Sequence, residues 1–326
     1  MPHHWIDQPR DEAGKWTDTG GAETTTIKDA GGALRMAASD NYGKKMDLRS
    51  GFTPNPHLNE VQKEIEARFI ADLEENFFQR EQEYLTNREL SGDHGNIVSA
   101  DNAKELSPDY AKDNQSRAEL AAAVHEPASI FIKKVYERLL ERTPKSGLVV
   151  FTGGGTGAGK TTAIKNLADL QTMADKADVV YDSNLSSYGS AKKKIDDALN
   201  SGRDVTIFFV HREIEDAFKN GVIPRMERVG RSVPITEHIQ RTSDAFKTTE
   251  KLDQTYKSNN KVNVRYIDNS NGIGRAKQVS LEVIREKAYL YDTGKIEKDL
   301  NEYTKKLYES GKITKKQFIG LTTKTG

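Results

Sequence analysis

Apolar residues in the first part of the chain recur at steps of three and four. Leu58, Val61, Ile65, Phe69, Leu73 and Phe77 fall on one face of a helix. The SGDHGN segment at 91–96 interrupts that period. Leu120, Val124, Phe131, Val135 and Leu139 resume it, with Pro127 marking a break or a fresh start. From residue 147 the pattern changes. LVVFT (148–152), DVVYD (178–182), DVTIFFV (204–210) and VNVRYID (262–268) read as strands buried on both faces. Helical stretches alternate with them, marked by Ile164, Leu167 and Leu170, by Ile195 and Leu199, and by Ile235, Ile239 and Phe246. Such alternation predicts a mostly parallel sheet covered by helices, a three-layer α/β/α sandwich. After residue 275 the chain is helical again, with Ile296, Leu300, Tyr303 and Leu307 on one stripe. Residues 1–55, rich in Gly, Thr, Asp and Lys, carry no sustained period and read as a flexible leader. The expected order is therefore leader 1–55, helical region 56–145, α/β core 146–275 and helical extension 276–326.

Composition narrows the function. Of 326 residues, 49 are Lys or Arg and 49 are Asp or Glu, and the zero balance argues against a nucleic-acid partner held by a basic surface. The run Lys192, Lys193, Lys194 reads as a solvated helix face, and His125 as a helix-end residue. With no cysteine, disulfides, thiol nucleophiles and thiolate metal sites are excluded. The longest apolar runs are too short to cross a bilayer, and the first residues have no apolar stretch, so a soluble cytoplasmic protein without a membrane partner is the expectation.

The most specific segment is GGTGAGKT at 154–161, between an apolar run and a helical period. Gly154, Gly155, Thr156, Gly157, Ala158 and Gly159 suit a loop whose backbone N–H groups curl around a phosphate. The helix opening at about Lys160 adds its positive end. Lys160 can reach the β- and γ-phosphates, Thr161 can supply a hydroxyl to Mg²⁺, and Thr162 completes the binding set. A nucleoside triphosphate with Mg²⁺ is the expected cofactor. A motor NTPase would carry an apolar strand ending in Asp-Glu, and neither FFVHRE nor RYIDNSNG has that pattern. A kinase needs a carboxylate facing the acceptor hydroxyl and mobile arginines on the transferred group. Asp182 ends the second strand, at the sheet edge where ligands bind. Arg225, Arg228, Arg231 and Arg241 lie in a Gly- and Pro-punctuated segment with the composition of a lid. His211, Arg212 and Glu213 follow the third strand, either lining an acceptor pocket or forming a polar strand-to-helix junction.

The loop GGTGAGKTT, the strand end VVYDSN, the stretch DVTIFFVHREIEDAF, the lid GRSVPITEHIQR and the turn RYIDNSNG together resemble the zeta-toxin-like kinases of bacterial toxin–antitoxin systems, over about residues 145–275. The resemblance implies ATP-dependent phosphorylation of a hydroxyl on a nucleotide sugar or nucleotide-like metabolite, often with toxic effect. It makes Lys160, Asp182, Arg231 and Arg241 the catalytic set, with Arg228 in reserve. It also implies a small-molecule acceptor, a nucleotide sugar or a dinucleotide, and an antitoxin or inhibitor protein as partner. The family offers two acidic strand ends, and Asp182 fits either of them. No counterpart of its acceptor-binding stretch is visible. A regulatory NTP-binding or NTPase module with a partner-binding amino-terminal region, and a polynucleotide kinase, are the alternatives.

Overall fold

The computed structural model describes residues 44–323 except 231 and 273. They form two compact units, residues 44–91 with 100–132, and residues 92–99 with 133–323.

In the first unit, α1 (Glu60–Glu75) starts at Asn59, whose side chain accepts from Gln62 N while Gln62 reaches back to the Asn59 N–H. This reciprocal box satisfies two donors the first turn leaves open. Leu58, Ile65, Phe69 and Leu73 are buried as the period predicts, but Val61 is 64% exposed. It departs from the expected face because the apolar stripe is narrower than the spacing suggests. Phe77 opens α2 (Phe77–Thr86) and packs on Phe131, with ring centroids 5.4 Å apart. Of the expected leader, residues 1–43 lie outside the described residues. Residues 44–55 run along α1, where Glu74 accepts from the Leu48 and Arg49 N–H groups and Glu66 from that of Asn55.

The second unit is built on a six-stranded sheet. Its strands are β1 (Ile97–Ser99), β2 (Leu148–Gly153), β3 (Val179–Asp182), β4 (Asp204–His211), β5 (Val262–Asp268) and β6 (Lys277–Val279). They lie in the order β1-β3-β2-β4-β5-β6, all parallel except β6. The α/β sandwich expected from the apolar runs is what forms, with two further short strands at the edges. Preceding β2, α3 (His125–Glu141) gives the residues from 133 onward to this unit. Between strands come α4 (Lys160–Lys165), α5 (Ala168–Lys176), α6 (Tyr188–Asn200), α7 (Ile223–Val229) and α8 (Ile235–Thr255). After β6 follow α9 (Leu281–Tyr289), α10 (Thr293–Glu309) and α11 (Lys315–Thr322).

Alternation along the strands divides the core. Val150, Phe208 and Val210 pack with Ala163, Ile164 and Leu170 of α4 and α5. Phe209 and Tyr266 pack with Ala245 and Phe246 of α8 and Ile284 of α9. The first half of β5 departs from the two-sided burial expected of it, because Asn263 and Arg265 are exposed and β6 pairs only with Tyr266, Ile267 and Asp268. A third cluster joins Phe218, Met226 and Ile235 to Leu300 and Leu321, which seats α10 and α11 against α7 and α8. Below the sheet, Arg203 is buried and bonds Asp178, Leu140 O and Arg142 O, tying the end of α3 to the strand entries. No helix among the described residues is long and apolar enough to cross a membrane.

Candidate nucleotide-binding site

β2 ends at Gly153, and residues 154–159 turn the chain back into α4, which starts at Lys160. The glycines are required by space as well as by backbone angle. Gly154 has φ 132°, and a Cβ there would lie 2.3 Å from Val210 O. Gly157 has φ 77°, and its Cβ would meet Ala217 O at 2.4 Å. Both angles are in the region that side chains disfavour. The loop is braced from outside. Asn269 Nδ2 donates to Ala158 O at 2.8 Å, and Arg212 Nη1 donates to Gly157 O at 3.2 Å while its Nε pairs with Asp216. Asn184 O accepts the Gly154 N–H at 3.2 Å. A Cβ on Gly155 would strike Thr242 Oγ1, which brings α8 directly against the loop.

Two predicted residues meet at the carboxyl edge. Lys160 Nζ is 3.8 Å from Asp182 Oδ1 and donates to Asn184 Oδ1 at 3.2 Å. Asp182 also accepts a short hydrogen bond from Thr152 Oγ1 on the neighbouring strand. The turn holding Asn184 continues into Leu185, which has φ 53° and is buried over Gly153. A branched residue in the left-handed region is strained, and such strain gathers at sites whose geometry is over-determined by their surroundings.

The other predicted residues are placed as follows. Thr161 and Thr162 are exposed in the first turn of α4. Arg241, in α8, pairs with Glu237 one turn earlier at 2.5 Å, so its contact is along its own helix. Arg231 lies outside the described residues. Arg225 and Arg228 are on α7. Asn184, Asn269 and Thr242 brace the site but are absent from the catalytic and binding sets read from sequence. The first two stand in the quoted VVYDSN and RYIDNSNG segments, which was the available signal. No group of three His, Asp or Glu side chains that can hold a metal occurs among the described residues. The Thr161 hydroxyl, exposed at the start of α4, is a hard oxygen donor of the kind that shares Mg²⁺ with nucleotide phosphates. The glycine cradle, whose positions have no room for a Cβ, fits a phosphate chain.

Electrostatics beside the loop are set by neighbours. The His211 ring, 3.6 Å from Glu213, holds the Glu213 carboxyl below its usual range. Burial would raise Asp268, but hydrogen bonds from Lys287 and Ser270 outweigh it and keep the carboxyl low. Burial pushes the Tyr291 hydroxyl up.

Residues 169–275 match the Zeta toxin family model. No curated protein matches the chain. The zeta-toxin match begins after the phosphate loop, so it is shorter than the resemblance expected over 145–275. It takes in Asp182, α7, α8 and the Asp268-Asn269-Ser270 turn. Motif and match thus bear on different residues of one site, and both describe a P-loop kinase-like nucleotide-binding module.

Proposed function

We propose that the chain is an ATP-dependent phosphotransferase that phosphorylates a hydroxyl of a nucleotide sugar or another nucleotide-like metabolite. The observation that carries this reading is the position of Lys160 Nζ, between Asp182 Oδ1 and Asn184 Oδ1 at the end of a glycine loop. A lysine there meets the β- and γ-phosphates, and a carboxylate one strand away meets the acceptor. In this reading the loop amides of residues 154–159 and the first turn of α4 bind the phosphates, and Thr161 and Thr162 present their hydroxyls. Thr161 would hold Mg²⁺ together with the nucleotide phosphates, and the ion would supply positive charge that neutralises the transferred group. Asp182 accepts the proton of the acceptor hydroxyl as that oxygen forms its bond to phosphorus and the bond to the ADP oxygen breaks. Thr152 holds the carboxylate in the orientation this requires. Arg241 and Arg231 carry the charge of the transferred group, Arg241 leaving Glu237 to do so. The zeta-toxin match extends the reading to a chain harmful to its cell and restrained by an inhibitor protein.

The test incubates the full chain with γ-labelled ATP and Mg²⁺ against nucleotide sugars, dinucleotides, nucleosides and oligonucleotides, with Lys160→Ala as the control. Label in a small-molecule product, lost in the control, is the expected result. Label released only as inorganic phosphate overturns the kinase in favour of an NTPase module.

A further inference from the structure

A cavity of about 180 Å³ opens beside the phosphate loop on the α8 face of the sheet. Gly155, the end of β4 from Phe209 to His211, and Arg212 form its floor, α8 forms one wall, and the segment Ala288–Thr293 forms the other. Aromatic rings dominate it. Phe246 meets Tyr289 edge to face at 5.7 Å, and His211 and Tyr291 lie nearly parallel, 15° apart in plane with centroids at 6.3 Å. The polar tips are anchored by neighbouring side chains. Tyr289 Oη donates to Glu250 at 2.6 Å, and Tyr291 Oη is 3.3 Å from His211 Nε2. His211 is buried to 3% exposure, whereas Tyr289 remains 60% exposed at the mouth. An aromatic ring fixed by its hydroxyl but left open on its face is suited to stacking.

Charge adds the second part. Lys247 is exposed on α8 at this cavity and makes no ion pair among the described residues. Arg212 lines the floor and is already committed to Gly157 O and Asp216. One open cation beside a set of aromatic faces matches a planar heteroaromatic ring bearing an anionic substituent. The volume holds one ring and is below the range of whole-ligand pockets, about 300–1,000 Å³. The rest of such a ligand extends along the sheet edge toward the loop. Ala288–Thr293 lies beyond the zeta-toxin match, so this wall is additional to what the match describes.

We propose that the cavity binds the heteroaromatic ring of the phosphate acceptor, a nucleotide whose own phosphate lies on Lys247. This assignment rests on the kinase reading above. Titration calorimetry on the full chain tests it, with UMP, AMP and nicotinamide mononucleotide, their nucleosides, and the Mg²⁺ complex of a non-hydrolysable ATP analogue as probes. Ser243→Trp fills the cavity from α8. At least one monophosphate is expected to bind the wild type, with affinity falling at least about tenfold in Ser243→Trp while the ATP analogue changes less than about twofold. Lys247→Ala is expected to weaken the monophosphate and leave the nucleoside unchanged. If Ser243→Trp melts differently from the wild type, Thr293→Trp fills the same space from the opposite wall under the same criterion. Absence of monophosphate binding to the wild type, or unchanged binding in the filled variant, overturns the proposal. Equal loss of the ATP analogue gives the ring to the donor and overturns the acceptor assignment. Failure of the kinase reading is separate, because it appears as label in inorganic phosphate alone whatever the ring binding.

Discussion

The two ends of β3 carry the same residue type in opposite circumstances. Asp178, just before the strand, pairs with Arg203 at 2.9 Å, with side chains 7% and 1% exposed. It also accepts from the Lys145 and Ser146 N–H groups and the Ser146 hydroxyl, while Arg203 donates to Leu140 O, Arg142 O and Ser201. Asp182, at the other end, is 3.8 Å from Lys160, with side chains 36% and 17% exposed. A buried pair survives only when its remaining donors and acceptors are also satisfied. The lower pair meets that condition and fixes the strand entries. The upper pair is longer and wetter, so a phosphate can take the lysine from it at small cost. On the proposed kinase reading, one strand has a structural end and a working end.

The comparison breaks most sharply if the working end proves structural. Asp182→Asn is expected to lower single-turnover phosphoryl transfer by about 10²–10⁴-fold. Its ATP affinity should stay close to wild type, and its urea-unfolding stability should move by less than about 1 kcal/mol. A large stability loss with normal transfer would reverse the assignment. At the other end, Arg203→Met leaves a buried carboxylate without its partner and should cost about 3–5 kcal/mol in urea unfolding. A loss below about 1 kcal/mol would make the two ends alike. Gly154→Ala adds about 1–3 kcal/mol of backbone strain at the loop entry, plus the clash with Val210 O. It should weaken ATP binding in equilibrium dialysis far more than Gly147→Ala, where φ is also positive but the space is open. Retained binding in Gly154→Ala would remove the cradle argument.

The smallest effect concerns pH. His238 is fully buried, its Nε2 bonds Ile214 O, and burial pushes its pKa below the ordinary 6.5. The unfolded chain therefore binds a proton that the folded chain refuses in the window just below pH 6.5, so stability falls as pH drops through it. The slope from this one group is at most about 1.4 kcal/mol per pH unit. Urea midpoints between pH 7.5 and 5.5 should fall less in His238→Phe than in the wild type, and parallel curves would sink the assignment.

Much of this was legible in advance, for reasons visible in particular residues. The runs that became β2 to β5 are apolar because helices cover most of both faces, and GGTGAGKT forms the loop its glycines require. The edge strands β1 and β6 were not legible, since IVS and KQV are three residues each and leave no period to read. Val61 fell on the predicted face and turned outward. Lys160 and Asp182 come together as expected, but their braces did not stand out. Asn184 is 24 residues from Lys160, Arg212 is 55 from Gly157 and Asn269 is 111 from Ala158. Local spacing carries no record of which distant side chain closes on a loop.

The short strand β1 bears on how the protein can be divided. Ile97, Val98 and Ser99 pair with Val180, Tyr181 and Asp182, so residues ahead of the phosphate loop cover the outer edge of the strand that carries the carboxylate. Asn96 adds hydrogen bonds to Ala174 O and Ala177 O. A fragment beginning at residue 145 would bare that edge, and bare edges recruit other chains. Such a fragment should elute as aggregates where the full chain does not. Lost activity in it would then report a missing strand, and would carry no information about whether the amino-terminal helices restrain the enzyme.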